Sequence, residues 1–301
     1  MAKVLVTGGA GFIGRCLAEE LLKRKYAVRI FDVDKSQHSD SVAGDVREFE
    51  QVDKAVEGCD LAVHLASLIS VPESNEKPAE YKEVNTQGTK NVLEACNKHN
   101  VKRVVVASSA AVYGDCVEMP WVEEKIGKPL SVYAETKFQK ERLCKSYFEE
   151  CGLQCIALRF FNVFGPGQNT KSAYAAAIPI FISKILKNEK PIVYGDGMQT
   201  RDFIYVKNVV EAIISALNSE NAAGEVFNIA SGYTITINDL ISLIGKILNK
   251  KVEVVYEKPR SGDIKLVSTD ITKSLNVLGD YRKYSFEQGL RETIEWYRIN
   301  T

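Results

Sequence analysis

The sequence predicts an α/β protein: a doubly wound parallel sheet followed by a smaller mixed α/β unit. Short apolar runs alternate with amphipathic ones through the first half of the 301 residues, the pattern of parallel strands joined by crossover helices. The first strand, Lys3–Thr7, runs straight into Gly8-Gly9-Ala10-Gly11-Phe12-Ile13-Gly14 and then an amphipathic segment at 16–24. After Gly165-Pro166-Gly167 the character changes to a mixture of helical patterns at 179–188, 238–248 and 286–297 and strand patterns at 225–229 and 252–256.

Strand, glycine turn and helix in that order form the setting of a dinucleotide-binding loop of Rossmann type. Gly8 allows the tight turn, Gly11 the close approach of a pyrophosphate, and Gly14 close packing of helix on strand. Phe12 and Ile13 open the helix whose free N–H groups and dipole favour an anion. A second strand, 27–31, ends in Asp32, close to the spacing of about 20 residues at which a carboxylate receives the adenosine ribose hydroxyls. That carboxylate repels a 2′-phosphate, so NAD is expected rather than NADP. The short gap between Asp32 and Asp45 leaves little room for a crossover helix. Further strands are expected at 61–65, 103–108 and 155–161, with helices at 89–99 and 133–151.

Lys+Arg and Asp+Glu each number 39, so no net field draws the chain to nucleic acid or an anionic membrane. An acidic diphosphate ligand must be met by local arginines. Seven cysteines without a C-x-x-C pair are expected as reduced thiols of a cytoplasmic protein, with no metal site. Met1-Ala2-Lys3 leads directly into the first strand, so no signal peptide is expected, and no apolar run has the length of a membrane span.

Tyr133-Ala134-Glu135-Thr136-Lys137 puts a phenol and an ammonium on one face of a helix. A phenol with a pKa of about 10 is a poor base at neutral pH, and a fixed cation beside it favours the phenolate. Upstream, strand 103–108 leads into Ser109-Ala110-Ala111-Val112-Tyr113-Gly114, which offers a hydroxyl at a strand end.

Together these motifs resemble the extended branch of the short-chain dehydrogenase/reductase superfamily, and within it the nucleotide-sugar 4-epimerases, almost from end to end. The resemblance implies Ser109, Tyr133 and Lys137 as the catalytic group. It implies Asp45, Val46, Leu65, Ala66 and Asn85 as further cofactor contacts. Asn162, in Arg159-Phe160-Phe161-Asn162, would contact a substrate diphosphate, with Arg201 and Arg260; Tyr194 would face a uracil and Asp263 a ribose. Val132 departs from the proline that commonly precedes the tyrosine. Ala110 and Ala111 stand where dehydratases and decarboxylases carry acidic residues, which favours plain epimerisation. Val267 stands where hexose-specific members carry a tyrosine, and 173–179 resembles a stretch of UDP-N-acetylglucosamine 4-epimerases. The implied substrates are UDP-GlcNAc/UDP-GalNAc, with UDP-Glc/UDP-Gal also open. UDP-glucuronate, a reductase and a non-catalytic NAD sensor are the alternatives. By the same resemblance, 1–165 with 202–229 forms the NAD-binding domain and 166–201 with 230–301 the substrate domain. A homodimer through 89–99 and 133–151 is implied too.

Overall fold

In a computed structural model, which describes residues 1–169, 177–259 and 265–300, the strands are β1 (Lys3–Thr7), β2 (Ala27–Asp32), β3 (Ser41–Ala43), β4 (Leu61–His64), β5 (Arg103–Ser109), β6 (Cys155–Phe160), β7 (Asn162–Phe164), β8 (Ile192–Tyr194), β9 (Thr200–Tyr205), β10 (Val226–Ile229), β11 (Thr234–Thr236) and β12 (Val255–Glu257). Seven of them form one parallel sheet in the order β10-β6-β5-β4-β1-β2-β3. The helices are α1 (Phe12–Lys23), α2 (Phe49–Val56), α3 (Val71–Glu76), α4 (Pro78–Tyr81), α5 (Gly88–Lys98), α6 (Val132–Cys151), α7 (Ala177–Leu186), α8 (Val206–Asn218), α9 (Ile237–Leu248), α10 (Thr272–Leu278) and α11 (Phe286–Asn300).

A parallel sheet must be covered on both faces, so its strands are apolar nearly throughout. β6 is buried along its whole length. Alternation along β1 divides the core: Val4 and Val6 join Leu17, Leu21, Val210 and Ile213 beneath α1 and α8. Leu5 joins Phe31, Val52, Val92 and Cys96 beneath α2 and α5 on the other face. No helix joins β2 to β3, as the short gap after Asp32 led one to expect.

Residues 202–229 supply α8 and β10 to this layer, β10 pairing with β6. α10 packs on α8 and β10, and Leu278 and Tyr281 enter the α1/α8 core, although 230–301 was assigned from sequence to the smaller unit. That unit is built from the sheets β11-β9-β7 and β12-β8 with α7, α9 and α11. Its core holds Phe164, Phe181, Phe203, Leu240, Ile244 and Leu290. The strand expected at 252–256 forms only over Val255–Glu257, where the chain pairs with β8, and Val252 and Val254 before it pack against that core.

Candidate active site

The chain order reverses at β1: β2 and β3 build outward on one side, β4 to β6 on the other. Ligands of open α/β sheets bind beyond the strand ends at such a reversal. Here a cleft of about 920 Å³ opens there and is closed over by β7, β8, β9 and α7 of the smaller unit.

Its floor is the glycine loop. Gly8 has φ +70°, and a Cβ on it would lie 2.7 Å from Ala66 N. A Cβ on Gly14 would lie 2.2 Å from Gly8 O and 2.6 Å from Gly9 Cα, so α1 starts hard against the loop. Gly11 is the N-cap of α1 and supplies no side-chain cap, and no acidic residue occupies the first turn. The first N–H groups of a 12-residue helix are thus left for an anion. Asp32 sits at the end of β2, its Oδ2 accepting from Ala10 N at 2.9 Å and its Oδ1 from Asp34 N at 3.1 Å. Asp45, Val46, Leu65 and Ala66 line the same cleft. Arg47 reaches Asp45 Oδ2 from Nε at 2.9 Å and Nη2 at 2.5 Å, and these bonds hold the carboxyl below its ordinary range. The uncapped helix, the glycine cradle and Asp32 fit a dinucleotide.

Asn85 does not line the cleft. It is fully buried in a π-helical stretch, Lys82–Gln87, where it accepts from Leu68 N at 2.8 Å and donates to Leu68 O at 3.0 Å and Thr136 Oγ1 at 3.1 Å. It fixes the backbone of Leu68, which does line the cleft.

Ser109 ends β5, and Tyr133 and Lys137 share the first turns of α6. Ser131 caps that helix by accepting from Ala134 N at 3.1 Å. Val132 occupies the first helical position, where proline would bring no N–H; its N–H instead donates to Asn75 Oδ1 at 3.2 Å, and Tyr133 N donates to Ser74 Oγ at 3.0 Å. Helix α3 therefore holds the start of α6. One turn beyond Lys137, Glu141 and Arg159 form a buried two-pronged pair at 2.8 and 2.9 Å, which ties α6 to β6. Ser108 Oγ donates to the same carboxylate at 2.5 Å and ties in β5.

Lys137 Nζ lies 5.5 Å from the Tyr133 ring centre and donates to Ser67 Oγ at 2.9 Å and Ala107 O at 3.3 Å. Burial lowers its pKa to about 7. Burial also raises the Tyr133 phenol above its ordinary value, and a hydrogen bond with Ser109 pulls it back in part. From sequence, Lys137 was expected to drive the phenol toward phenolate. In the protein alone, burial raises the phenol and the influence opposing it is the Ser109 hydrogen bond; spacing along a helix does not reveal that burial.

On the far wall Asn162, Tyr194 and Arg201 line the cleft together with Gln168, Gln199 and Phe203. Asn162 Nδ2 donates to Asp202 O at 2.8 Å, and Arg201 Nη1 to Thr200 O at 2.8 Å. Gln168 Oε1 is buried with no partner among the described residues, an acceptor that a ligand would satisfy. Val267 does not line the cleft. It packs with Tyr113, Trp121, Ile271 and Phe161, and of these Phe161 is a lining residue, so Val267 stands one layer behind the wall. Arg260, Asp263 and residues 173–176 lie outside the described residues. Gln199 and the buried Lys140 were not anticipated, and Ser67 and Gln168 were expected only as members of longer motifs; the signal for Lys140 was its i,i+3 spacing from Lys137. Among the described residues no cluster of His, Cys, Asp and Glu could hold a metal, and no helix is long and apolar enough to cross a membrane.

A dinucleotide cradle at a sheet reversal, with Ser, Tyr and Lys at its inner end, defines a short-chain dehydrogenase/reductase. The sequence profile of the NAD dependent epimerase/dehydratase family matches residues 4–230, and the chain belongs to that family, with NAD as its cofactor. It is 35% identical over 306 residues to a putative UDP-glucose 4-epimerase of Methanocaldococcus jannaschii, covering 99% of each chain. It is also 35% identical to a UDP-N-acetyl-alpha-D-glucosaminuronate decarboxylase of Bacillus cytotoxicus, over 98% of each. Among solved structures, UDP-N-acetylglucosamine 4-epimerase from Methanobrevibacter ruminantium, in complex with UDP-N-acetylmuramic acid, superposes with a TM-score of 0.93. The identity there is 38%, over 100% of this chain and 99% of that one.

Proposed function

We propose that the protein is a UDP-sugar 4-epimerase that keeps NAD bound through its cycle and interconverts UDP-GlcNAc and UDP-GalNAc. The observation that carries this is the composition of the cleft around Ser109, Tyr133 and Lys137. The carboxylates among the described lining residues are Asp32, Asp34, Asp45 and Glu80. Asp34 adjoins Asp32, and Asp45 and Glu80 both act on Arg47, so all four belong to the side marked by Asp32. Beside the reacting groups stand Ala110 and Ala111, which cannot supply the acid or base that an elimination needs. Redox chemistry at one carbon is supported, and elimination is not.

Tyr133, as phenolate, removes the proton of the sugar 4-hydroxyl, and Ser109 hydrogen-bonds the same oxygen. Lys137 in its charged form stabilises the phenolate. Bound NAD supplies the hydride acceptor and then the donor at C4, and its oxidised ring adds a positive charge that favours the phenolate. The 4-keto sugar turns about its diphosphate, held by Asn162 and Arg201 and, from the expected motif, Arg260. Tyr133 then returns its proton to the oxygen on the other face. Arg201 is suited to a diphosphate by the planar fork of its donors.

The acetamido substrate is supported by the small Val267 behind Phe161, since a bulkier side chain there would crowd the wall, and by the likeness to a UDP-N-acetylglucosamine 4-epimerase. Initial rates on UDP-GlcNAc, UDP-Glc and UDP-glucuronate test it. The highest kcat/KM is expected on UDP-GlcNAc. Turnover of UDP-Gal with none of UDP-GalNAc would refute the substrate assignment and leave epimerisation standing, whereas turnover confined to UDP-glucuronate would replace both sugars.

A further inference from the structure

A second lysine lies beneath the first. Lys140 is fully buried and forms no ion pair among the described residues. Its Nζ lies 2.7 Å from Ser67 Oγ, 3.2 Å from Ala66 O and 3.3 Å from His64 Nε2. Ser67 Oγ is also the acceptor of Lys137 Nζ at 2.9 Å. One hydroxyl thus joins the two amines.

The protons in this cluster can be placed by counting donors. Thr89 Oγ1 donates to Asn85 O at 2.6 Å, so across its 2.9 Å contact with His64 Nε2 it accepts. Nε2 therefore carries the proton, and Thr7 Oγ1 donates to Nδ1 at 2.7 Å. A protonated Nε2 cannot accept from Lys140, whose remaining acceptors are Ala66 O and the Ser67 Oγ it shares with Lys137. With no carboxylate there to balance a second buried ammonium, Lys140 is assigned as a neutral amine with a lone pair. Both amines are placed to donate to Ser67 Oγ; a neutral Lys140 can turn its lone pair to that oxygen, and the Ser67 hydroxyl proton then points to it while Lys137 donates. The titratable groups facing Lys140 are His64 from β4 and Lys137 and Cys144 from its own helix; Lys137 disfavours a second charge, and Cys144, the smallest of the influences, acts the other way. Burial first, then Lys137, holds Lys140 well below its ordinary pKa, and burial holds His64 low.

We propose that Lys140 is a positioning residue for Lys137, joined to it through Ser67 in a relay that moves the active-site ammonium proton between cleft and interior. In the forward hop a Lys137 Nζ–H bond breaks and a Ser67 Oγ–H bond forms, while the original Ser67 proton passes to the Lys140 lone pair. The return hop reverses both. No proton leaves the protein, and charge beneath Tyr133 is withdrawn and restored in place. At rest the polarised chain stabilises the ammonium on Lys137.

The inference rests on the epimerase reading for its kinetic test and on nothing but the chain for its spectroscopic one. With lysine labelled at 13Cε, and the Lys137 signal assigned by its loss in Lys137→Met, the titration midpoint of Lys137 is followed by NMR. Lys140→Met and Ser67→Ala should each lower that midpoint by about half a pH unit or more, the weight of one hydrogen bond. Each should move the basic limb of the kcat profile to lower pH and reduce kcat at neutral pH by roughly three- to tenfold, with KM unchanged. The double variant should lose no more than Ser67→Ala alone, because both changes cut one chain. Ser67→Thr, which keeps the hydroxyl, should restore the profile. A Lys137 midpoint unmoved in both single variants, or losses that multiply, would overturn the relay. A wild-type protein without epimerase activity would instead overturn the functional reading, and the midpoints would still decide the relay.

Discussion

Tyr133→Phe is expected to lower epimerase turnover by about 10²- to 10⁴-fold, the range for loss of a positioned acid–base group, while the purified protein keeps its NAD. The substitution removes one oxygen and leaves the ring that faces Lys137. Lys137 itself is held from behind by Ser67 and Ala107 O, and α6 by its Ser131 cap and by Ser74 and Asn75. None of these contacts involves the phenol. Cofactor content is read from the absorbance of released dinucleotide, and turnover from the rate of isomer formation. Near-normal turnover would remove Tyr133 from its role. Loss of NAD together with turnover would mean that the phenol holds the cofactor rather than the proton.

Gly14→Val is expected to yield protein devoid of NAD and therefore inactive. The new Cβ would meet Gly8 O at 2.2 Å and Gly9 Cα at 2.6 Å. Both are backbone atoms of the loop, so no side chain can swing aside. Relief requires α1 to slide or the loop to lift, and either carries the helix N-terminus away from the anion it would receive. Forced overpacking of this kind costs about 1–3 kcal/mol and sometimes more, so the folded sheet, with its two extensive cores, is expected to survive. Circular dichroism close to wild type with no bound dinucleotide is the predicted result. Stoichiometric NAD in the variant would contradict the assignment of this loop.

Much of the layer that positions the site was legible in the sequence because its determinants are local. A strand, three glycines and a helix specify the cradle through steric rules acting over a few residues. The spacing of Tyr133 and Lys137 fixes their common face. Asp32 is marked by the end of its strand. The features that escaped depend on distant segments meeting. Lys140 and Ser67 come together only because α6 lies across the ends of β4 and β5. The protonation of Tyr133 follows from burial, which the pair alone does not reveal. Val267 was expected at the cleft wall, but it packs in a cluster whose cleft-lining member is Phe161, the residue between β6 and β7. α10 joins the large sheet through contacts with β10 that no local pattern announces. In each case the missing information was the identity of the neighbour, not the propensity of the segment.

The central claim is that the hydride removed from C4 is kept and returned by NAD that never leaves. Purified protein should therefore be incubated with UDP-GlcNAc carrying deuterium at C4, with no NAD added, and followed by NMR. The account predicts the galacto isomer with deuterium retained at C4 and no accumulating keto sugar. An isomer that has lost the label to solvent, a keto or decarboxylated product, or a requirement for stoichiometric reduced cofactor would contradict it.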